Sequence, residues 1–276
     1  MSIDSRTRIT GLIGHPVEHS LSPAMHNSAY EHLGLNYCYI ALPVHPDSLT
    51  RAIEGIRALS FRGVNVTVPH KEMVIRSLEE VDDEALFIGA VNTVVNNDGR
   101  LKGYNTDGRG FIRSLEEENI HYKDKRIIVL GTGGAARAVC YYLAKEASEL
   151  YLYDIDIEKA RSLVSDLSDL GGKVFQAEST EKAADADIII NATPLGLRPT
   201  DPIPINEGLM APDMKVIDLI YWDTPLLVAA KDAGCTVMNG LGMLLWQGAL
   251  AFELWTGKSA PVDVMKNALV SGLASK

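Results

Sequence analysis

A glycine-rich segment, GTGGAAR (131–137), follows four apolar strand-forming residues and precedes a predicted helix. Its Gly131, Gly133 and Ala136 match the pattern G-x-G-x-x-A, in which the first glycine makes the turn and the second lets the backbone approach a pyrophosphate. The small third residue allows the helix to pack closely on the strand, and N–H groups at the helix N-terminus bind the anion. The segment therefore predicts a dinucleotide site, and a tight glycine turn without a ligand is the alternative.

Asp154 ends the next predicted strand, roughly 20 positions after Gly131. An acidic residue at this distance usually accepts hydrogen bonds from the ribose 2′-hydroxyl of NAD, and it disfavours the 2′-phosphate of NADP. Asp156 is a suitable N-cap for the following helix. The two aspartates can therefore serve these two purposes separately.

A second local pattern places a lysine where a cation is disfavoured. The valines of GVNVTVP (63–69) alternate with polar residues, which predicts a strand, and Pro69 suits the first position of a following helix. Lys71 would then lie in the first helical turn, where the positive end of the macrodipole repels it. A solvated lysine at a frayed helix end is one interpretation. A functional lysine is the other, because residues that break a local rule are often functional.

Two further polar segments, SLSP (20–23) and NTDG (105–108), offer groups to a polar substrate. Each also has a local explanation, since Ser22 before Pro23 is a suitable N-cap and N-T-D-G suits an Asx-type turn. Three histidines near the first segment do not share one helical face and lack a cysteine or carboxylate cluster, so we predict no metal site. These residues predict a nicotinamide-dependent enzyme with an unidentified polar substrate.

The composition excludes several classes of partner. The chain has 276 residues, of which 46% are hydrophobic, and a formal net charge of −10. Such a surface repels nucleic acid and anionic membranes, so we expect neither as a partner. Three widely spaced cysteines without a CxxC pair argue against a disulfide framework. The N-terminal residues do not resemble a signal peptide and no apolar stretch is long enough to span a bilayer, so we expect a cytoplasmic protein.

The elements that must position these residues fall into two series. From residue 8 to about 106 strands alternate with helices, which predicts a mainly parallel sheet covered on both faces. A hairpin turning at Asp98-Gly99 predicts one antiparallel strand in that sheet.

A second series starts at residue 124 and contains six predicted strands, as in the doubly wound nucleotide-binding fold. The apolar helical tail exceeds what that fold needs. We therefore predict an α/β protein of two domains. A substrate-binding domain comprises residues 1–106 and is completed by C-terminal helices of 243–276, and a Rossmann NAD(P)-binding domain comprises 107–242.

Taken together, the segments resemble the shikimate dehydrogenase family over nearly the whole chain. The matching segments occur in the order of that family: HSLSPAMHN, NVTVPHKE, GAVNT, NTDG, GTGGAAR, INATPLG and NGLGMLLWQGA. The resemblance implies reversible oxidation of the 3-hydroxyl of shikimate to 3-dehydroshikimate, with hydride passing to a nicotinamide.

The resemblance also implies a role for individual residues. Lys71 and Asp107 form the catalytic pair, in which the lysine takes the hydroxyl proton as hydride leaves. Residues expected to bind the substrate are Ser20 and Ser22 at its carboxylate, Tyr221 nearby, and Asn65, Thr67, Asn92 and Gln247 at the ring hydroxyls. Residues expected to bind the cofactor are Gly131, Gly133, Gly134, Ala135, Ala136, Arg137, Asp154, Lys159, Thr193 and Gly240.

One segment departs from the family. NADP-dependent members usually carry Asn-Arg-Thr at the end of the second Rossmann strand, where the arginine binds the 2′-phosphate, whereas this chain has Asp154-Ile155-Asp156. We therefore expect NAD or NADP as the cofactor. Asp154 favours NAD, whereas the more common preference within the family favours NADP. Lys159 and Arg137 are the cations that remain for a phosphate.

Three alternatives stay open. The chain could be an NAD-dependent quinate/shikimate dehydrogenase, although such enzymes often have threonine in place of Ser22. It could be a non-catalytic sensor of a dinucleotide and a cyclic acid, but the presence of both Lys71 and Asp107 favours an enzyme. It could be a folate-linked dehydrogenase, but the paired serines and NTDG favour a hydroxylated acid. The expected partner is a small-molecule substrate, and both a monomer and a homodimer are compatible with the sequence.

Overall fold

The computed structural model of the protein describes residues 3–274. Within them the chain divides into two compact units, one formed by the residues up to Thr106 together with those from Leu245 onward, the other by Asp107–Leu244. Among residues 3–274 no helix is long and apolar enough to cross a membrane.

Helices and strands alternate along the described chain. The helices are α1 (Ser22–His32), α2 (Leu49–Ala58), α3 (Asp83–Ile88), α4 (Asp107–Glu117), α5 (Gly134–Glu146), α6 (Ile157–Ser168), α7 (Pro225–Asp232), α8 (Leu241–Thr256) and α9 (Val262–Ala274). The strands are β1 (Arg8–Gly14), β2 (Tyr37–Pro43), β3 (Gly63–Val66), β4 (Glu80–Val81), β5 (Thr93–Asn97), β6 (Arg100–Tyr104), β7 (Arg126–Leu130), β8 (Glu149–Tyr153), β9 (Val174–Gln176), β10 (Ile188–Asn191), β11 (Lys215–Asp218) and β12 (Thr236–Met238).

The first unit contains a six-stranded sheet in the order β2-β1-β3-β5-β6-β4. β5 runs antiparallel to both of its neighbours, and the remaining pairs are parallel. The hairpin between β5 and β6 turns at Asp98 and Gly99, which have φ of +52° and +91°, as a two-residue turn of this kind requires. The prediction of a mainly parallel sheet with one antiparallel strand is confirmed.

The core of the first unit lies on both faces of that sheet. On one face α2 buries Leu49, Ile53 and Ile56, which recur at the spacing of one helical side. On the other face the indole N–H of Trp255 in α8 donates to the carbonyl oxygen of Val94 at 3.0 Å. This hydrogen bond attaches α8, the helix before α9, to the strand β5.

The second unit contains a parallel sheet in the order β9-β8-β7-β10-β11-β12. Numbered within the unit, this is the 3-2-1-4-5-6 order of the doubly wound dinucleotide-binding fold. Ile127–Leu130 of β7 and Ile188–Ile190 of β10 are buried at its centre. The predicted Rossmann fold is confirmed, and ligands of such sheets bind beyond the carboxyl ends of the strands where the strand order reverses.

Candidate functional site

The turn after β7 has the geometry that a dinucleotide-binding turn requires. Gly131 has a φ of +92°, and a Cβ atom added there would lie 2.9 Å from the carbonyl oxygen of Ala192, so glycine alone fits. Gly133 is the N-cap of α5, and the space that its Cβ would occupy is open. A ligand can therefore approach the backbone of this turn closely.

The start of α5 completes the turn. Gly134 is the first residue of the helix, Ala135 follows it, and Ala136 is fully buried. The first N–H groups of a helix have no partners within that helix, so they can bind an anion. The local geometry fits the pyrophosphate of a dinucleotide.

Asp154 lies directly after β8 and is connected to the glycine turn. Its carboxylate accepts hydrogen bonds from the N–H and the hydroxyl of Thr132, at 2.8 and 2.7 Å, and from the N–H of Asp156 at 2.9 Å. Partial burial acts to raise the pKa of Asp154, but these hydrogen bonds outweigh it and hold the pKa below its ordinary value. The carboxylate is therefore ionised at neutral pH, and its two oxygens retain capacity for a further hydrogen-bond donor.

The two cations that remain for a phosphate, Arg137 and Lys159, have carboxylate partners. The Nη2 atom of Arg137 lies 2.9 Å from Asp166, and the Nζ atom of Lys159 lies 3.6 Å from Asp156. Asp156 is also the N-cap of α6, as predicted, because its Oδ1 atom accepts from the N–H of Lys159 at 3.2 Å. The position at which the family usually has arginine is Ile155, which is 91% exposed.

A buried polar cluster holds the segments after β10 and β11. Asp218 accepts hydrogen bonds from the amide of Asn191 at 2.9 Å and from the hydroxyl of Thr224 at 2.8 Å. Asn191 in turn accepts from the N–H and the hydroxyl of Thr193, at 3.0 and 2.7 Å. Burial raises the pKa of Asp218. The sequence analysis identified Thr193 but missed Asn191 and Asp218. These two residues end the neighbouring strands β10 and β11, and their contact with each other depends on the order of the strands in the sheet.

Two predicted residues of the second unit lie after β11 and before α8. A Cβ atom at Gly240 would lie 2.0 Å from the carbonyl oxygen of Leu219, so this position requires glycine for close packing of two backbones. Tyr221 is half-buried, its ring contacts Trp222 edge to face, and burial raises the pKa of its hydroxyl.

Three of the predicted substrate residues share one hydrogen-bonded cluster in the first unit. The side-chain amide of Asn92 donates to Thr106 at 2.9 Å and to the Oε1 atom of Gln247 at 3.4 Å. The amide of Asn65 donates to the carbonyl oxygen of Asn92 at 3.2 Å and to the hydroxyl of Thr93 at 3.1 Å. Asn65 and Asn92 are both buried, so neither side chain is a loosely held surface group.

Ser20 and Ser22 lie side by side at the start of α1. The hydroxyl oxygen of Ser20 accepts a hydrogen bond from the N–H of Ser22 at 3.2 Å. The prediction of Ser22 as an N-cap is wrong, because the helix begins at Ser22 itself and its N-cap is Leu21, whose side chain makes no capping hydrogen bond. The local explanation for a serine at this position is thereby removed.

The prediction that a helix begins directly after Pro69 is also wrong. Lys71 and Glu72 form a turn, and a short 3₁₀ helix follows at Met73–Ser77, so Lys71 precedes the helix and does not lie in its first turn. His70 is fully buried and its Nε2 atom donates to the carbonyl oxygen of Val44 at 2.7 Å, which holds the turn in place. This contact with a distant residue could not be read from the local pattern.

Lys71 and Thr67 belong to the first unit, and Asp107 begins the second. The carbonyl oxygen of Lys71 accepts from the N–H of Val91 at 2.8 Å, one residue before Asn92. Thr67 directly follows β3, and its N–H donates to Ile13 at 2.9 Å. Asp107 is buried as the first residue of α4. Across the described part of the chain, no three histidine, cysteine or carboxylate side chains cluster as metal ligands.

Two family models match this chain. The model described as the shikimate dehydrogenase substrate binding domain matches residues 12–94, and the one described as the shikimate 5'-dehydrogenase C-terminal domain matches residues 240–270. The chain is 46% identical to a shikimate dehydrogenase (NADP+) of Methanopyrus kandleri, with 99% of this chain and 98% of that protein covered.

Solved structures are similar over the same length. A crystal structure of a shikimate dehydrogenase in complex with NADP+ has a TM-score of 0.91 and 43% identity, with 98% of this chain and 97% of that chain covered. A shikimate 5-dehydrogenase from Listeria monocytogenes, in complex with shikimate and NAD, has a TM-score of 0.89 and 38% identity, with 97% and 98% covered.

Proposed function

Because the chain belongs to the shikimate dehydrogenase family, we propose that it catalyses the reversible, nicotinamide-dependent oxidation of shikimate to 3-dehydroshikimate. The observation that carries the proposal is the hydrogen-bonded cluster of Asn65, Asn92 and Gln247. Asn65 and Asn92 are buried within the residues that the substrate-binding family model matches, and Gln247 is half-buried in the same compact unit. Amide side chains both donate and accept hydrogen bonds, as the recognition of ring hydroxyls requires.

The proposed chemistry separates a proton and a hydride. Lys71 takes the proton of the 3-hydroxyl as the alcohol is oxidised and returns it in the reverse reaction. Asp107 acts with Lys71 as the second member of the catalytic pair. A bound nicotinamide supplies the hydride acceptor. Ser20 and Ser22 bind the substrate carboxylate, with Tyr221 nearby, and Thr67 binds a ring hydroxyl beside the amide cluster.

Each of the two units has its own role in this proposal. The substrate-binding domain comprises residues 1–106 with 243–276, and the cofactor domain comprises 107–242. The Rossmann sheet, the glycine turn at 131–133 and the start of α5 support the second role. Thr193 and Gly240 lie after β10 and before α8 in the same unit and are assigned to the cofactor.

The proposed cofactor preference is for NAD over NADP. Ionised Asp154 offers acceptors to a ribose diol and repels a 2′-phosphate, and like charges brought together at a binding site cost several kcal/mol. Ile155 supplies no charge, and Arg137 and Lys159 already face carboxylates. The names of the relatives favour NADP, so the assay must compare both cofactors.

The test is a steady-state assay of shikimate and quinate, each with NAD and with NADP. We expect turnover of shikimate, with kcat/KM higher with NAD than with NADP. Higher kcat/KM for quinate than for shikimate would replace the proposal by the quinate/shikimate alternative. Binding of dinucleotide and shikimate without turnover would favour the sensor.

A further inference from the structure

Tyr39 is a core tyrosine whose hydroxyl group contacts the proposed substrate residue Asn65. It lies in the middle of β2, and its side chain is almost completely buried. The hydroxyl donates to the Oδ1 atom of Asn65 at 2.8 Å, and burial raises the pKa of this hydroxyl. Asn65 lies in β3, and β1 separates β3 from β2, so the two residues come from different strands.

The hydrogen bond from Tyr39 sets the orientation of the Asn65 amide. The nitrogen of this amide gives its two hydrogens to the carbonyl oxygen of Asn92 and to Thr93. Its oxygen receives the hydrogen of Tyr39, and one further lone pair of that oxygen remains. Asn65 held in this way offers an acceptor, and no donor, to a ring hydroxyl.

Stacking holds the ring of Tyr39 in one plane. The imidazole of His26 lies parallel to it, with ring centroids 4.3 Å apart and an interplanar angle of 8°. The ring of Trp255 packs at 6.0 Å, and Trp255 is itself held by its hydrogen bond to Val94. Burial lowers the pKa of His26 to about 3, so its ring is neutral at neutral pH. The position of the Tyr39 hydroxyl is therefore fixed by packing.

We propose that Tyr39 is a positioning residue, which acts through Asn65 to hold one of the groups that bind the ring hydroxyls of the substrate in the required orientation. The inference deepens the proposed function and rests on it. Without the hydroxyl, the amide of Asn65 can rotate by half a turn and present its nitrogen where the ligand needs an oxygen.

The test compares Tyr39→Phe with a matched control, Tyr30→Phe. Tyr30 is buried in the same aromatic cluster, and its hydroxyl forms a hydrogen bond with Thr10 at 2.8 Å. Each variant therefore loses one buried phenol hydroxyl and keeps its ring. We expect similar falls in melting temperature for both variants. Tyr39→Phe alone should raise the KM for shikimate about five- to tenfold, the effect of one lost hydrogen bond, with kcat within about threefold and cofactor affinity unchanged.

A second measurement tests whether Tyr39 acts through Asn65. In the background Asn65→Ala, the change Tyr39→Phe should add less than about twofold to the KM for shikimate, because residues that act as one unit are not additive. Equal KM values for the wild type, Tyr39→Phe and Tyr30→Phe would overturn the inference, and so would full additivity of Tyr39→Phe with Asn65→Ala. In either case, turnover of shikimate by the wild type would still support the proposed function. A wild type without shikimate turnover would overturn both.

Discussion

Asp154 accepts two hydrogen bonds from Thr132, one from its N–H at 2.8 Å and one from its hydroxyl at 2.7 Å. Thr132 lies between the two glycines of the turn after β7, so this pair connects the residue proposed to bind ribose to the turn proposed to bind pyrophosphate. A substitution of Asp154 therefore disturbs both features. Ile155, exposed and without such contacts, is the cleaner position at which to test the cofactor preference.

The first prediction concerns cofactor choice. Ile155→Arg should raise kcat/KM with NADP about tenfold relative to NAD, because a guanidinium binds phosphate in a charge-assisted pair. The control Ile157→Arg adds the same charge to another exposed isoleucine two positions on and should change the ratio little. Combining Asp154→Asn, Ile155→Arg and Asp156→Thr should move the preference further toward NADP. A tenfold preference for NADP in the wild type would contradict the carboxylate argument and direct attention to Lys159 and Arg137.

The second prediction concerns proton transfer. Lys71→Ala should lower kcat by about 10²–10⁴ and leave the KM for shikimate within several-fold, since the lysine is proposed to act on the reacting hydroxyl. Asp107→Asn should cost a comparable factor, and the double variant should fall far short of additivity. Lys102→Ala, which removes a lysine paired with Glu80 in the first unit, is the control and should keep kcat. Near-wild-type turnover of Lys71→Ala would contradict the proposed role of Lys71 in proton transfer.

The third prediction separates binding from stability at Ser22. Since Ser22 is not the N-cap of α1, Ser22→Ala should change the melting temperature little while raising the KM for shikimate about tenfold. Ser28→Ala, a half-buried serine on the same helix, should change neither quantity appreciably. Unchanged shikimate kinetics in Ser22→Ala would exclude the serine from the carboxylate site.

The fourth prediction separates backbone strain from crowding in the glycine turn. Gly171→Ala places a side chain at a φ of +80° with open space around it, and should cost about 1–2 kcal/mol of folding free energy. Gly131→Ala meets a comparable φ and also the carbonyl oxygen of Ala192 at 2.9 Å, so it should cost more and weaken cofactor binding. Urea unfolding and cofactor titration measure the two effects. Equal costs with unchanged cofactor binding would contradict the tight-turn argument.

The fifth prediction concerns pH. The pKa of His26 falls to about 3 in the folded protein from an ordinary value of 6.5, because the ring is buried. Between these values the unfolded state binds a proton that the folded state does not, so stability is lost as pH falls through this window, by about 1.4 kcal/mol per pH unit from this group.

The variant that tests this account is His26→Phe, which keeps an aromatic ring beside Tyr39. Between pH 6.5 and 4, the unfolding free energy of this variant should fall less steeply than that of the wild type. The difference in slope should correspond to the uptake of one proton on unfolding. His32→Gln, which replaces an exposed histidine on the same helix, should keep the wild-type slope. Identical slopes for the wild type and His26→Phe would show that the buried imidazole does not contribute.

Much of the fold follows from local patterns. The alternation of β-branched and polar residues marks the strands, and the apolar spacing in α2 marks its buried side. The strand, glycine turn and helix at 126–146 form within one continuous segment, so their prediction needs no distant contact. The turn at Asp98-Gly99 is likewise a local property of two residues that tolerate positive φ.

Both wrong predictions rest on local preferences that the folded chain overrides. The helix expected after Pro69 is displaced because buried His70 bonds to Val44, a residue far away in the sequence. The cap expected at Ser22 moves to Leu21, so α1 starts one residue earlier than local preference indicates. In both cases a tertiary contact or the path of the backbone overrides a propensity worth about 1 kcal/mol.

By itself the sequence determined the two series of elements, the dinucleotide turn and the chemical types of the proposed substrate residues. The tertiary structure decided which side chains meet. From the sequence alone, Tyr39 cannot be told from any other core tyrosine in an alternating strand. It meets Asn65 because the sheet order β2-β1-β3 places their strands on the two sides of β1, where the ring of Tyr39 packs on residues of α1 and α8. Strand order depends on the packing of the whole unit, and no local pattern of residues encodes it.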